Sequence, residues 1–363
     1  MKILFVSGNL CDGGAQRVIS VISSKLADMG HDVSLLLYSR NEKEYDISPK
    51  VKISAIGQNF AEYSRTSLLH RVLYIRKYLK RLSPDVAVGF MEGGYGLYVS
   101  ALGLRFPKVA SARIDPKILF ELKGLRARLD MHWFSKANAV VLQTTRQMQH
   151  AENCSWKNQI VIANPVTDRA LSFPEHTYDR PCRKIVMAGR LVPQKNYPMI
   201  FAAMQKVIEV YPDAVLDIFG KGSMQQSLEK MIIELKLEKH VFLKGWTQDT
   251  LAEYQNSDIY VLCSNYEGMP NALMEAMAVG MPCISTDCDT GPEDLIDDGT
   301  NGFLVPINDV ECLAQRIIDI MGMTNVERKD IGENARSTIV RYFSSDVIAG
   351  KWEELLSSLM VKH

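Results

Sequence analysis

Several features that would narrow the class of this protein are missing from its sequence. No run of about 18 apolar residues is present that could cross a bilayer, and the first apolar stretch reaches a turn too early for a secretory signal peptide. Cysteine is scarce, with 7 scattered residues among 363 and no C-x-x-C pair. This argues against a disulfide framework and a structural zinc site. We therefore expect a protein of the reducing cytoplasm.

The net charge of the chain is also zero, but its two halves carry opposite net charges. Residues 1–164 carry 23 Lys and Arg against 13 Asp and Glu, whereas residues 165–363 carry 19 against 29. The composition, 47% hydrophobic and 23% charged, is typical of a globular protein. At 363 residues the chain is too long for one ordinary core, so we expect two domains.

The basic charge of the first half is concentrated in residues 65–81 and 117–136, and the second stretch also carries aromatic residues. In residues 65–81, helical spacing places apolar and basic side chains on different sides. Such a helix can lie on anionic lipid, or it can pack on a core with a solvated basic face. Nucleic acid is not expected, because no recognised binding motif accompanies the charge. The apolar side is Leu68, Leu69, Val72, Leu73, Ile75 and Leu79, and the basic side is Arg71, Arg76, Lys77, Lys80 and Arg81.

Strand-like apolar runs alternate with helical patterns along the chain, as in parallel sheets with crossover helices. A polar segment with three prolines, which we assign as a linker at 165–182, separates two such series. We predict an α/β fold of two doubly wound, Rossmann-like domains, 1–164 and 183–342, with the ligand in the cleft between them. The predicted strands are 3–7, 33–38, 51–55, 86–90, 108–112, 139–143 and 160–162, then 184–188, 215–219, 241–243, 259–262, 282–286 and 302–305.

The first strand-to-helix turn contains paired glycines, Gly13 and Gly14. Glycines at a helix start let backbone N–H groups approach a phosphate or a sugar closely. The turn is not G-x-G-x-x-G, so a dinucleotide is not indicated. Arg17 follows on the same helix and is a candidate acceptor-binding residue. Glu92, after the predicted strand 86–90, either orients an acceptor or is a surface charge.

Residues 265–286 (NYEGMPNALMEAMAVGMPCIST) place Glu267 and Glu275 eight positions apart across a turn and a helix. Gly268 and Pro270 favour the turn, and residues 271–279 are good helix formers. A helix N-terminus has free N–H groups and partial positive charge, so a diphosphate can bind there. The two carboxylates can accept hydrogen bonds from hydroxyl groups on either side of it. This combination suits a nucleotide-sugar.

Two cations, Arg190 and Lys195, follow the predicted strand 184–188. At the carboxyl end of a strand they can neutralise a leaving diphosphate, the arginine by bidentate hydrogen bonds and the lysine as a point charge. Asp287 and Asp289 form a D-x-D string, but their position before a predicted helix start favours a loop near the donor phosphates over a metal site. We expect no metal and no cofactor.

Four segments in order resemble glycosyltransferase family 4 over nearly the full chain: GGAQRV at 13–18, AGRLVPQKN at 188–196, the E-x7-E of Glu267 and Glu275, and TDCDTGPEDLI at 286–296. These are retaining enzymes of the two-domain GT-B fold. The sequence looks closest to bacterial members that extend O-antigen, capsule or lipid-linked oligosaccharides with N-acetylgalactosamine or galactose. The resemblance also implies that a helix at 343–363 crosses back to the N-terminal domain.

The resemblance implies roles for individual residues. Glu267 would contact the hydroxyls of the donor sugar and Glu275 the nucleotide ribose. A family histidine after the fifth strand is replaced by Arg113, which would contact the sugar or a phosphate instead. Backbone amides after Glu267 would hold the diphosphate together with Arg190 and Lys195. These amides correspond to Gly268, Met269, Pro270, which has no N–H, and Asn271. The glycine loop of the family's N-terminal domain corresponds to Gly13 and Gly14.

The implied activity is retaining transfer of a hexose or N-acetylhexosamine from a UDP-sugar to a lipid-linked (undecaprenyl-diphosphate) glycan. The implied setting is peripheral, on the anionic cytoplasmic face of the inner membrane. Three alternatives remain open: a GDP-mannose-dependent transferase, a UDP-N-acetylglucosamine epimerase, and a non-catalytic nucleotide-sugar-binding protein.

Overall fold

In the computed structural model, the described residues are 1–11, 13–40, 45–90, 93–113, 115–117 and 125–360. The chain forms two compact units, one of Met1–Pro165 with Ser345–His363 and one of Val166–Ser344. Each unit contains one parallel sheet, with helices between most successive strands. The predicted doubly wound α/β architecture is therefore confirmed. Glu92 and residues 118–124 of the second basic stretch lie outside the described residues.

The sheet of the first unit has the strand order β3-β2-β1-β4-β5-β6-β7. Every predicted strand of this unit is found within two residues at either end. The strands are β1 (Lys2–Ser7), β2 (Asp32–Ser39), β3 (Lys52–Gly57), β4 (Val86–Phe90), β5 (Lys108–Ser111), β6 (Ala139–Leu142) and β7 (Gln159–Val161). Its helices are α1 (Gly14–Asp28), α2 (Phe60–Arg65), α3 (Leu68–Leu82), α4 (Gly93–Ser100), α5 (Leu125–Lys136), α6 (Thr145–His150) and, fifteenth in chain order, α15 (Ser345–Met360).

Helix α15 completes the core of the first unit. The Trp352 side chain is fully buried, and its ring centroid lies 5.9 Å from that of Phe90 and 6.4 Å from that of Phe5. An ion pair at 2.7 Å joins Lys25 of α1 to Asp346. The expected return of the last helix to the N-terminal domain is confirmed.

The predicted helix at 65–81 is divided and packs differently from the sequence expectation. Thr66 ends α2, and the Ser67 hydroxyl then caps α3 by accepting a hydrogen bond from the His70 amide at 3.2 Å. Leu68, Leu69 and Leu73, predicted on an apolar side that could face the core, are 62%, 67% and 56% exposed. The buried side chains of α3 are Ile75, Tyr78 and Leu79.

Two residues predicted on the solvated basic side have structural contacts instead. Arg71 lies over the Tyr63 ring at 3.9 Å and donates to the Tyr63 hydroxyl. Arg76 donates to the backbone oxygens of Ser100 and Leu102, at 3.0 and 2.7 Å, just after α4. Periodicity alone does not distinguish a guanidinium in water from one that satisfies carbonyls at a helix end.

The sheet of the second unit has the order β10-β9-β8-β11-β12-β13. Its predicted strands are likewise found within two residues. They are β8 (Lys184–Ala188), β9 (Val215–Phe219), β10 (Val241–Gly245), β11 (Ile259–Leu262), β12 (Cys283–Thr286) and β13 (Phe303–Val305). The helices are α7 (Asp168–Ser172), α8 (Tyr197–Val210), α9 (Gln225–Glu234), α10 (Thr250–Gln255), α11 (Asn271–Ala278), α12 (Pro292–Leu295), α13 (Val310–Gly322) and α14 (Asn325–Phe343), with one 3-10 turn at Pro193–Lys195.

Residues 166–182, assigned to the linker from their polarity, belong to the second unit. They include α7, and the His176 amide donates to the Val279 carbonyl at 2.8 Å. Arg180 pairs with the buried Asp258 at 2.8 Å. Polarity and prolines predicted irregular chain here, but side-chain and backbone hydrogen bonds fix the segment to the unit. None of the described helices is both long and apolar enough to span a membrane.

A glycine contact positions α11, the helix that carries Glu275. A Cβ atom on Gly332 of α14 would lie 1.9 Å from the Gly280 oxygen and 1.8 Å from the Tyr178 hydroxyl. Gly280 follows α11 with φ +86°. Both distances are far shorter than a van der Waals contact. Only glycine at position 332 therefore allows α11 and α14 to approach this closely.

We predict that Gly332→Ala destabilises the protein by about 3 kcal/mol, the upper end for overpacking, because the added methyl group meets backbone atoms. Urea denaturation measures the change. The matched control is Gly350→Ala in α15, where a Cβ would have no neighbour within 4 Å. Alanine there should be neutral or stabilising by up to about 1 kcal/mol. Similar losses in both variants would contradict the packing argument.

Candidate functional site

The site predicted in the second unit is built on the turn between β11 and α11. Glu267 lies in this turn, and Lys195 ends the 3-10 turn after β8. The Lys195 Nζ lies 2.6 Å from the Glu267 Oε1, and the two side chains are 14% and 8% exposed. The Ser264 hydroxyl donates to the same Oε1 at 2.5 Å. The structure thus brings together two of the residues predicted to share a site.

Contacts from neighbouring loops fix the backbone of this turn. The Gln194 side chain donates to the Tyr266 carbonyl at 2.7 Å, and the Asn265 amide donates to the Gln194 carbonyl at 2.8 Å. The Thr290 hydroxyl, after β12, donates to the Glu267 carbonyl. The loops after β8, β11 and β12 therefore hold one another at the carboxyl edge of the sheet, where open α/β sheets bind ligands.

Glycines allow the loops to approach at backbone distance. A Cβ on Gly291, where φ is +101°, would lie 2.5 Å from the Gly268 oxygen. A Cβ on Gly220, after β9, would lie 1.8 Å from the Gly189 oxygen. Side chains at these positions would separate the Glu267 turn from the α12 start, and the β9 loop from the β8 loop.

Helix α11 begins directly after the turn, with Pro270 as the residue before its first turn. Its first turn carries no acidic side chain, so the positive end of the helix dipole is not offset there. Glu275 lies one turn along the helix and is 8% exposed. Gly268 is partly exposed and Met269 is buried, so the backbone from Gly268 to Asn271 forms the edge of the site.

Arg190 is the second residue after β8, and its side chain is exposed. Its guanidinium has no hydrogen-bond partner within the described part of the chain, whereas its carbonyl accepts from the Tyr197 hydroxyl at 3.2 Å. Arg190 and Lys195 therefore differ: the lysine is already paired with a carboxylate, and the arginine is available for an anionic ligand.

The D-x-D string lies in the loop after β12, which leads to the residues that hold the Glu267 turn. Asp287 is exposed and its amide donates to the Val305 carbonyl at 2.8 Å. Cys288 between the two aspartates is fully buried, and burial raises the pKa of its thiol to about 12. The loop leads to Thr290 and Gly291, which hold the Glu267 turn.

The other predicted site residues lie in the first unit. Gly13 precedes α1 and Gly14 begins it, as expected for a strand-to-helix turn. Arg17 lies on α1 with its Cζ 5.5 Å from the centroid of the Tyr45 ring. Arg113 is the second residue after β5 and donates to the Asn164 Oδ1 at 2.8 Å.

Sequence reasoning missed the residues that orient Glu267. Gln194 and Thr290 lie in segments that carry the family resemblance, but no role was predicted for either of them, and Ser264 lies outside these segments. The signal that could have found them is position: each lies within a few residues of the carboxyl end of β8, β11 or β12.

The chain is similar to known proteins both in sequence and in fold. Residues 168–338, which hold the Lys195 and Glu267 pair, match the family model described as glycosyl transferases group 1. The structure of HepE of Anabaena in complex with UDP shares the fold, with a TM-score of 0.82, 17% identity, and coverage of 99% of this chain and 100% of that chain. The lipopolysaccharide core biosynthesis glycosyltransferase LpsE of Rhizobium meliloti is 26% identical over 357 residues, 96% of each chain. The chain is a glycosyltransferase of the GT-B fold.

Another relative of this glycosyltransferase has a name that specifies its substrates. It is the GalNAc-alpha-(1->4)-GalNAc-alpha-(1->3)-diNAcBac-PP-undecaprenol alpha-1,4-N-acetyl-D-galactosaminyltransferase of Campylobacter jejuni, 24% identical over 369 residues and 99% of each chain. The name describes transfer of an N-acetylhexosamine to a diphosphate-linked glycan.

We predict that Lys195→Met destabilises the glycosyltransferase by about 3 kcal/mol, because it leaves the buried Glu267 carboxylate without its cation. Adding Glu267→Gln should recover part of the loss, since no unpaired charge remains. Guanidinium denaturation of the single and double variants measures this coupling. The control, Lys206→Met, breaks the exposed pair with Glu311 and should leave the midpoint unchanged. Absence of any recovery in the double variant would argue against the ion pair.

Proposed function

We propose that this glycosyltransferase moves a hexose or N-acetylhexosamine, of the galactose, N-acetylgalactosamine or N-acetylglucosamine type, from a UDP-sugar to a hydroxyl of an undecaprenyl-diphosphate-linked glycan. The observation that carries the proposal is the buried Lys195 and Glu267 pair beside the N-terminus of α11. The relatives named for lipopolysaccharide core biosynthesis and for a GalNAc transferase support a role in O-antigen, capsule or related polysaccharide synthesis.

The donor sugar lies against Glu267. Its Oε1 already accepts from Lys195 and Ser264, so Oε2 is the atom that accepts from the sugar hydroxyls. Glu275, further along α11, binds the nucleotide ribose. The diphosphate lies at the helix N-terminus, where the amides of Gly268, Met269 and Asn271 are placed to hold it.

The cations stabilise the leaving diphosphate. Lys195 has three N–H groups and uses one for Glu267, so the same ammonium can also contact a phosphate oxygen. Arg190 supplies a bidentate contact from its exposed guanidinium. Because these groups are in place before the bond breaks, they favour the transition state, in which negative charge grows on the diphosphate. No divalent ion is needed for this stabilisation.

The stereochemistry follows from attack on the face that the diphosphate leaves. The acceptor oxygen bonds to the anomeric carbon, the bond from that carbon to the diphosphate oxygen breaks, and the departing phosphate takes the acceptor proton. No covalent sugar–enzyme intermediate forms. An α-linked donor therefore gives an α-linked product, and the protein acts mainly by positioning and charge stabilisation.

We predict UDP release from a UDP-sugar only when a lipid-diphosphate glycan is present, and unchanged release in EDTA.

Arg190→Ala should lower kcat about 100-fold or more, through loss of charge stabilisation, with an unchanged circular dichroism spectrum. Lys206→Ala, on the exposed side of α8, is the control and should retain full turnover. Release from a GDP-sugar, or conversion of the UDP-sugar without acceptor, would favour the transferase or epimerase alternatives. Absence of any donor turnover would favour a binding protein.

We further propose that the first unit contacts anionic lipid through one face of α3. Leu69, Leu73, Lys77 and Lys80 follow one another at spacings of three or four residues, so they share a helix face, and all four are exposed. The apolar half of this face can enter the interface while its basic half meets the headgroups. We propose that this contact holds the enzyme on the cytoplasmic face of the inner membrane, beside a lipid-linked acceptor.

We predict salt-sensitive binding to vesicles that contain phosphatidylglycerol, weakened by Lys77→Glu with Lys80→Glu, since each basic residue near such a surface contributes roughly 1 kcal/mol. Leu69→Ser with Leu73→Ser should weaken binding at all salt concentrations. Lys2→Glu with Lys157→Glu, exposed positions of the same unit outside α3, is the control for net charge. Vesicle flotation measures binding, and equal effects of the two charge reversals would contradict a role for α3.

A further inference from the structure

A second polar cluster lies in the first unit, where three neighbouring strands end. Arg113 is the second residue after β5, Gln143 directly follows β6, and Asn164 is the third residue after β7. These strands pair in parallel in that order, so their carboxyl ends lie along one edge of the sheet. We call Arg113, Gln143 and Asn164 the Arg113 cluster.

The guanidinium of Arg113 is held by a hydrogen bond from Nη1 and by an aromatic ring against one face of its plane. Its Nη1 donates to the Asn164 Oδ1 at 2.8 Å, and the Gln143 Nε2 donates to the same oxygen at 2.9 Å. Its Cζ lies 4.6 Å from the centroid of the Phe90 ring. Asn164 and Gln143 are 2% and 5% exposed. The group is therefore held by buried partners rather than by a mobile surface contact.

The remaining edge of the guanidinium has no hydrogen-bond partner among the residues that the structure describes. The Nε and Nη2 atoms of Arg113 are buried and, within the described ranges, no acceptor bonds to them; the same holds for the Gln143 Oε1. The nearest carboxylate in sequence, Asp115, is used elsewhere: it pairs with His150 at 2.9 Å and accepts from the Lys117 amide at 2.9 Å. A buried cation without a counter-ion is strongly unfavourable unless a ligand supplies the charge.

The geometry of the open edge indicates the ligand chemistry. The Nε–H and Nη2–H groups of a guanidinium point the same way and match two oxygens of one phosphate or carboxylate. The Gln143 Oε1 beside them accepts a hydrogen bond from a hydroxyl. An oxyanion next to a hydroxyl group satisfies all three atoms. Burial also lowers the pKa of Arg113 to about 9, as expected when the charged form lacks a compensating anion.

We infer that Arg113 is a substrate-binding residue that holds two oxygens of a substrate diphosphate through its Nε and Nη2 atoms. The identification of the oxyanion as a diphosphate rests on the proposed function, whereas the binding of an oxyanion rests on the cluster itself. The diphosphate belongs either to the nucleotide donor or to the lipid-linked acceptor.

The binding test uses inorganic pyrophosphate and full-length protein with Arg190→Ala and Lys195→Ala, so that the cations of the second unit are removed. Pyrophosphate should still raise the Tm of this background. Adding Arg113→Met should weaken apparent pyrophosphate affinity at least 10-fold, and Arg113→Lys should retain part of it as a point charge. The control is Arg105→Met, an exposed arginine before β5, which should leave pyrophosphate binding unchanged.

Ligand-free stability separates binding from a structural role. Because Arg113→Met removes a buried charge that has no counter-ion among the described residues, its Tm without ligand should be unchanged or higher, despite the loss of activity. A pyrophosphate response that does not depend on Arg113 would overturn the inference. So would a fall in ligand-free Tm by several degrees for Arg113→Met that Arg113→Lys restores.

Kinetics of Arg113→Lys in the otherwise wild-type enzyme identify the source of the diphosphate. A rise of at least 10-fold in the KM for the UDP-sugar assigns Arg113 to the donor, and the same rise in the KM for the lipid-diphosphate glycan assigns it to the acceptor. Unchanged KM values for both substrates would count against the inference. If the wild-type enzyme turns over no donor but Arg113 still governs pyrophosphate binding, the proposed function fails and the oxyanion site remains.

Discussion

The buried ion pair between Lys195 and Glu267 is the interaction on which the site of the second unit depends. It joins the loop after β8 to the turn before α11 at 2.6 Å, and the proposed function assigns both partners to the binding of a nucleotide-sugar. A buried carboxylate without a cation is costly, so the contacts of Lys195 and Ser264 with Oε1 hold the Glu267 side chain in one position before any ligand arrives. The same lysine retains N–H groups for a phosphate, which links the stability of the turn to its chemistry.

Around this pair, backbone rather than side chain sets the spacing of the loops. A Cβ atom on Gly220 or Gly291 would lie too close to the backbone oxygen of Gly189 or Gly268, respectively. Gly332 does the same for α11 and α14, where a Cβ would meet the Gly280 oxygen. Glycine costs conformational entropy on folding. At Gly220 and Gly291, glycine allows the backbones of neighbouring loops to approach closely at the carboxyl edge of the sheet.

Most of the fold could be read from the sequence, because buried parallel strands are short apolar runs and each was recognisable. That Lys195 and Glu267 share one site also followed from their positions after β8 and β11, whereas their direct ion pair was not predicted. The exposure of Leu68 and Leu69 did not, since helical periodicity is the same whether an apolar face meets a core or solvent. From the sequence, Arg113 was recognised only as the residue that replaces the family histidine. Its contact with Asn164, 51 positions away, depends on strand order, which local sequence does not encode.

The path of the chain through the two units has a consequence for synthesis. The second unit is continuous, and its ends are joined where the Val166 amide donates to the Phe343 carbonyl at 2.8 Å. The first unit is interrupted, and Trp352 of α15 fills its core beside Phe5 and Phe90. Domains fold as units while the ribosome extends the chain. Until the later unit has been made and the last helix emerges, the amino-terminal sheet therefore lacks the side chain that packs against Phe5 and Phe90.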